Sequence, residues 1–137
     1  MAHDEAARLR EHGINPSAQR LAIAQYVLHT DTHPSAEGVW THVRKRFPQV
    51  SRATVYNTLN LFVERGLLRQ FALAEGRTVF DPKLEDHHHF IDDESGAIYD
   101  VPWEAVAIPH APRLEGFTVR EYQMVIRGKR NRTRRSG

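Results

Sequence analysis

Apolar residues recur at helical spacing in four stretches of the first half of the chain, and each stretch is bounded by a capping or breaking residue. Asp4 to His12 reads as a short amphipathic helix with Ala7 and Leu9 near one side, ended by Gly13. Asn15-Pro16-Ser17 then makes a turn and cap. From Ser17 to His29, Leu21, Ile23, Ala24, Val27 and Leu28 line a second helix whose polar edge carries Gln19 and Arg20. The segment Thr30 to Ser35 breaks the period, and Pro34 is expected to hold His33 extended at the next helix entrance. The third helix, Ser35 to Phe47, buries Val39, Trp40 and Val43, exposes Arg44-Lys45-Arg46, and stops at Pro48. Ser51 caps a fourth helix over Arg52 to Arg65, closed by Gly66, with Val55, Leu59, Phe62 and Val63 on its buried stripe.

Alternation at period two replaces the helical pattern at Leu67 to Leu73 and Thr78 to Asp81, two short strands around Ala74-Glu75-Gly76. Helices followed by a small hairpin predict a winged helix-turn-helix, with the last helix before the wing entering a major groove of double-stranded DNA. Candidate DNA contacts are then Arg20, Ser51, Arg52, Thr54, Tyr56 and Asn57. Arg suits guanine edges or phosphates, Tyr suits phosphate, and Asn suits adenine. The same pattern also fits a plain four-helix domain whose polar face meets water.

Beyond Asp81 the chain reads as strands His87 to Asp92 and Ala97 to Val101 around the turn Asp93-Glu94-Ser95-Gly96. A short helix around Trp103 to Ile108 and a long strand from Phe117 to Ile126 follow. The fold class is therefore α+β: a DNA-binding domain over 1–80, a small α/β domain over 87–127, and a basic, disordered tail over 128–137. The second domain leaves its sheet unprotected, and pairing across a two-fold axis in a homodimer would cover it.

Charge divides along similar lines. Residues 1–80 carry ten Arg/Lys against seven Asp/Glu, residues 81–126 three against ten, and residues 127–137 six against none. A basic front suits phosphates and an acidic middle with histidines suits a cation, although an ordinary solvated surface gives the same asymmetry. Cysteine is absent, so disulfides and thiolate zinc sites are excluded and any metal is held by nitrogen and oxygen. No apolar run approaches the length of a membrane span and the amino terminus is not a signal peptide, so a cytoplasmic location is expected.

Within Asp86-His87-His88-His89, strand geometry sends His87 and His89 to one side and His88 to the other. A simple four-residue turn sets Asp100 opposite His89. His33 and Asp81 are further candidates, from the helix entrance and the end of the wing. Such a donor set suits iron, manganese or zinc as a divalent ion, whereas a merely solvated strand is the plain alternative.

Taken in order, Asn15-Pro16-Ser17-Ala18-Gln19-Arg20, His33-Pro34-Ser35-Ala36, Ser51 to Leu59, Phe80-Asp81 and Asp86 to His89 resemble the ferric uptake regulator family across nearly the whole chain. The resemblance implies a transcriptional regulator, a repressor and not an enzyme. Its hinge would lie near Asp81 (residues 81–86), and metal there would close the dimer on an inverted-repeat operator. It implies regulatory ligands His33, Asp81, His87, His89 and Asp100. The two aspartates Asp81 and Asp100 resemble the peroxide-sensing branch, in which iron and peroxide oxidise a ligand histidine, here His33 or His87, under oxidative stress. Asp92-Asp93-Glu94-Ser95 stands where the family commonly has Cys-X-X-Cys, so the structural cysteine zinc is not expected. Tyr122 stands near a histidine of a further site seen in some members, and that site is not carried over. The triple histidine followed by Tyr99-Asp100-Val101-Pro102 also resembles the iron response regulator branch, in which haem engages His87, His88 and His89. A zinc or manganese uptake regulator is a third reading. A metalloenzyme is a distant fourth, because only Glu85 is near enough to serve as a base.

Overall fold

The computed structural model describes residues 4–73, 76–107 and 113–131. They form two compact units, Met1–Leu84 and Glu85–Gly137. Among the described residues no helix is long and apolar enough to cross a membrane.

The first unit contains α1 (Glu5–Glu11), α2 (Ala18–Val27), α3 (Ala36–Val43) and α4 (Arg52–Glu64), then the antiparallel hairpin β1 (Arg69–Leu73) and β2 (Arg77–Asp81). Each helix starts on a short side chain that accepts from the backbone N–H three residues on: Asp4, Ser17, Ser35 and Ser51. That bond satisfies one of the donors a helix start leaves open. Leu9, Ile23, Val27, Val39, Val55, Leu59 and Phe62 close into one core, with Leu67 and Phe80 packed onto it. Thr58 is buried with them, whereas Val63 is only half-buried.

Helix α3 ends at Val43, earlier than expected, and residues 44–46 continue as turns in which Phe47 N–H still reaches the Val43 carbonyl. His33 overturns the expectation of an extended pre-proline residue, since its φ is +54°. The tertiary structure holds it there: Phe80 N–H donates to the Pro34 carbonyl at 2.9 Å, tying the helix entrance to the wing. Residues 74 and 75 of the expected wing turn lie outside the described residues.

In the second unit, β3 (His87–Asp92) is the middle strand of the order β4-β3-β5. β4 (Ile98–Pro102) pairs antiparallel and sets His89 opposite Asp100; β5 (Val125–Gly128) pairs parallel, His89 opposite Val125. β3 is hydrogen-bonded along both edges, and His87, His88 and His89 on its two faces are all buried.

Three expectations change here. The long strand of 117–126 is strand only from Val125, and it continues to Gly128, a residue assigned to the tail. The helix after β4 is a single 3-10 turn, Trp103–Ala105; residues 108–112 lie outside the described residues. Of the rest of the expected tail, residues 129–131 are described, Lys129 pairing with Glu94 and Arg130 lying over Tyr99, and residues 132–137 lie outside the described residues.

Candidate metal centre and nucleic-acid face

The first unit holds two of the candidate ligands. His33, at the entrance to α3, and Asp81, the last residue of β2, are both buried, with His33 Nε2 3.0 Å from Asp81 Oδ2. The other carboxylate oxygen accepts Lys83 N–H at 2.9 Å, which fixes the carboxylate's rotation and leaves Oδ2 toward the imidazole.

In the second unit, His87 and His89 project together, with ring centroids 4.7 Å apart in an edge-on arrangement. Asp100 Oδ1 lies 3.2 Å from His87 Nε2 and 3.9 Å from His89 Nε2. Both rings are oriented through their other nitrogen. His87 Nδ1–H donates to the Glu85 carbonyl at 2.6 Å, and His89 Nδ1–H donates to Gln123 Oε1 at 2.7 Å. These bonds select the tautomer that keeps the Nε2 lone pair for a ligand, the arrangement that metal-binding histidines use. A lone pair facing a carboxylate oxygen is unfavourable until a positive charge stands between them, so the donor set fits a divalent cation.

His88 points the other way. Its Nδ1 accepts Met124 N–H at 2.9 Å and its ring stacks on Trp103 with centroids 4.4 Å apart. Accepting at Nδ1 places the proton on Nε2, which is buried and has no hydrogen-bond partner among the described residues. Gln123 and Met124 were invisible as site residues in the sequence, because they lie in a segment that reads as an ordinary strand. No local signal places them beside β3.

In the first unit, Arg52, Tyr56 and Asn57 lie exposed on α4. Ser51 and Thr54 are engaged with each other: Ser51 Oγ accepts Thr54 N–H at 3.0 Å and donates to Thr54 Oγ1 at 2.9 Å. Arg20 is half-buried, its Nη1 donating to the Asn15 carbonyl at 3.0 Å. Between α4, the start of α3 and the wing runs a cleft of about 560 Å³, lined by Tyr56, Asn60, Gln70, Arg77 and Thr78, with His33 in its wall. Arg52 makes a two-pronged ion pair with Glu37 of α3. The guanidinium's hydrogen bond holds the Glu37 carboxyl below its ordinary range, and reciprocally raises the arginine.

Residues 11–127 match the profile described as the Ferric uptake regulator family. The chain is 32% identical over 122 residues to the peroxide operon regulator of Bacillus subtilis, covering 88% of this chain and 84% of that protein. It is 30% identical over 127 residues to the peroxide-responsive repressor PerR of Staphylococcus aureus, covering 91% and 86%. Among solved structures, the ferric uptake regulator of Vibrio cholerae superposes with a TM-score of 0.70 at 21% identity, over 92% of this chain and 99% of that one, a likeness of fold.

Proposed function

The chain belongs to the ferric uptake regulator family and is a metal-dependent transcriptional regulator, not an enzyme; from that premise we propose that it senses peroxide or iron through His33, Asp81, His87, His89 and Asp100. The observation that carries this reading is the pair of Nδ1–H donations, to Glu85 and Gln123, that leave His87 and His89 poised as ligands beside Asp100.

On this reading His33 and Asp81 come from the DNA-binding unit and the other three ligands from the dimerisation unit, with a hinge at 81–86 between them. A bound iron(II) or manganese(II) ion supplies the positive charge that offsets the carboxylates and, as iron, reactivity toward hydrogen peroxide. The protein's part is to present ligands from both sides of a hinge, so that occupancy favours one relative placement of the units. A coupling of about 1 to 3 kcal/mol suffices to change DNA occupancy strongly. Were iron held there, His33 or His87 would be the imidazole placed to take up one oxygen atom of hydrogen peroxide, the other leaving as water. The modified imidazole is a poorer ligand, which releases the operator.

The DNA partner is an inverted-repeat duplex read by a homodimer. Arg52, Tyr56 and Asn57 face the groove, Arg20 adds a backbone contact, and Ser51 and Thr54 set the start of the reading helix. Exposed Leu114, Phe117, Val119 and Met124 in the second unit suit burial against a second copy. Haem ligation by the histidine run would require the central strand to open, since His87, His88 and His89 are at most 1% exposed.

The test uses the full chain and a duplex enriched from a random library in the presence of manganese(II). Binding that needs manganese or iron, with one oxygen gained on His33 or His87 by mass spectrometry after iron and peroxide, is the expected result. Metal-indifferent binding overturns the sensing reading, and unmodified histidines overturn the peroxide branch. A Soret band on adding haem would favour the haem branch instead.

A further inference from the structure

The first residue of α4 is held by two groups of α3 that the reading above does not use. Arg52 Nε donates to Glu37 Oε2 at 3.0 Å and to Oε1 at 3.2 Å, and Nη2 donates to Oε1 at 3.1 Å. Its guanidinium carbon also lies 3.9 Å from the centroid of the Trp40 ring, over which Arg44 lies at 4.5 Å. Trp40 is itself anchored, its Nε1–H donating to the Val50 carbonyl at 3.0 Å in the turn that leads to α4. That bond anchors the platform, and Arg52 lies over it with one edge occupied by a carboxylate.

Two consequences follow from the chemistry of a guanidinium. Its five N–H donors lie in one plane, so filling the Nε/Nη2 edge leaves the Nη1 donors, which have no hydrogen-bond partner among the described residues, aimed in a defined direction. Rotamer freedom is already spent, so an acceptor that meets that edge costs little further ordering. At the same time the Glu37 carboxylate cancels the charge that would make Arg52 attractive to any phosphate. Both side chains are more than half exposed, 58% for Arg52 and 51% for Glu37, so the masking is partial and screened by salt, and an acceptor that meets the Nη1 edge is still attracted.

We propose that Glu37 and Trp40 are specificity-determining positioning residues: they present Arg52 to one directed acceptor on the operator and suppress its use as a free cation on other DNA. The proposal rests on the DNA-reading role of α4, which it deepens. Lys45 and Arg46, exposed and with no carboxylate paired to them among the described residues, are left to provide the indifferent phosphate attraction, whereas Arg44 shares the field of Glu37.

The experiment compares Glu37→Gln with the unchanged chain, both loaded with manganese(II), on the library-enriched duplex and on a scrambled duplex of the same composition, across a salt series. Freeing one cation is expected to steepen the salt dependence on the scrambled duplex by one phosphate contact. That is about 3.5-fold more affinity lost for each fourfold rise in salt, with affinity at low salt raised. The preference for the enriched duplex should fall about threefold. The same substitution placed on Arg52→Gln should then change neither slope nor preference. Arg52→Lys, which keeps the charge but neither the fork nor the stack, should lose preference while retaining binding to the scrambled duplex. An unchanged slope in Glu37→Gln, or an equal change on the Arg52→Gln background, overturns the proposal and leaves the DNA reading standing. If the unchanged chain enriches no duplex, the DNA reading falls and this inference with it.

Discussion

Asp100 is the cross-strand partner of His89, yet its carboxylate lies closer to His87, 3.2 Å against 3.9 Å. The diagonal reach joins two rings on one face of β3 through a single oxygen. Each ring is turned from behind by a different acceptor, the Glu85 carbonyl for His87 and the Gln123 side chain for His89. Backbone and side-chain supports have different consequences, because only one of them can be removed by mutation.

Gln123→Ala should therefore lower affinity for manganese(II) about 10- to 100-fold, the usual effect of losing the group that orients a ligand histidine. Fold stability should change little, since Gln123 is only half-buried. Titration followed by the electron paramagnetic resonance of free manganese checks it, and an unchanged affinity would show that His89 is oriented without this bond.

His88→Ala should behave in the opposite way. It removes a fully buried ring stacked on Trp103 and strips Met124 N–H of its acceptor. A loss of about 2 to 4 kcal/mol is expected from the cavity and the unmet donor together. Manganese affinity at temperatures where the variant is folded should be unchanged. Urea unfolding and the same manganese titration separate the two effects.

Asp92 predicts a pH dependence. Its carboxyl is held below the ordinary 3.8 first by the backbone N–H of Glu94, with Ser95 and Arg130 adding to it. A depressed folded-state value means a contribution to stability that is complete above the unfolded-state value and is lost as pH falls through the folded one. Asp92→Asn should be less stable than the unchanged chain at neutral pH, and the gap should close as pH drops below about 4. Denaturant midpoints measured at several pH values check this. A gap independent of pH would mean that shape, and not charge, holds the turn.

Ser51→Ala should reduce the stability of the first unit by about 1 kcal/mol, the usual cost of an N-cap. The hydroxyl is spent on Thr54, accepting its N–H and donating to its Oγ1. Ser51→Asp, which restores the cap, should restore the stability. Thermal unfolding of the two variants decides between a capping residue and one held only for DNA.

Much of the architecture was legible in the chain because its determinants are local. Ser17, Ser35 and Ser51 cap the helices that the 3.6-residue period announces, and Gly66, at φ +80°, closes the last of them. The four-residue turn at Asp93 to Gly96 is enough to set His89 opposite Asp100, because antiparallel register follows from turn length. Residue type alone restricted any metal to nitrogen and oxygen donors.

What the tertiary structure decided is of another kind. The parallel pairing of β5 with β3 joins residues more than thirty positions apart and leaves no turn to read, so neither the strand's start at Val125 nor the placing of Gln123 and Met124 behind the histidines has a local sign. His33 took a positive φ against the preference of a pre-proline residue, because the bond from Phe80 to Pro34 fixes the junction from outside. Arg52 was a cation facing solvent in the sequence. Only the approach of α3 laid it on Trp40 beside Glu37, since contacts between helices depend on how their faces meet and not on the period within either one.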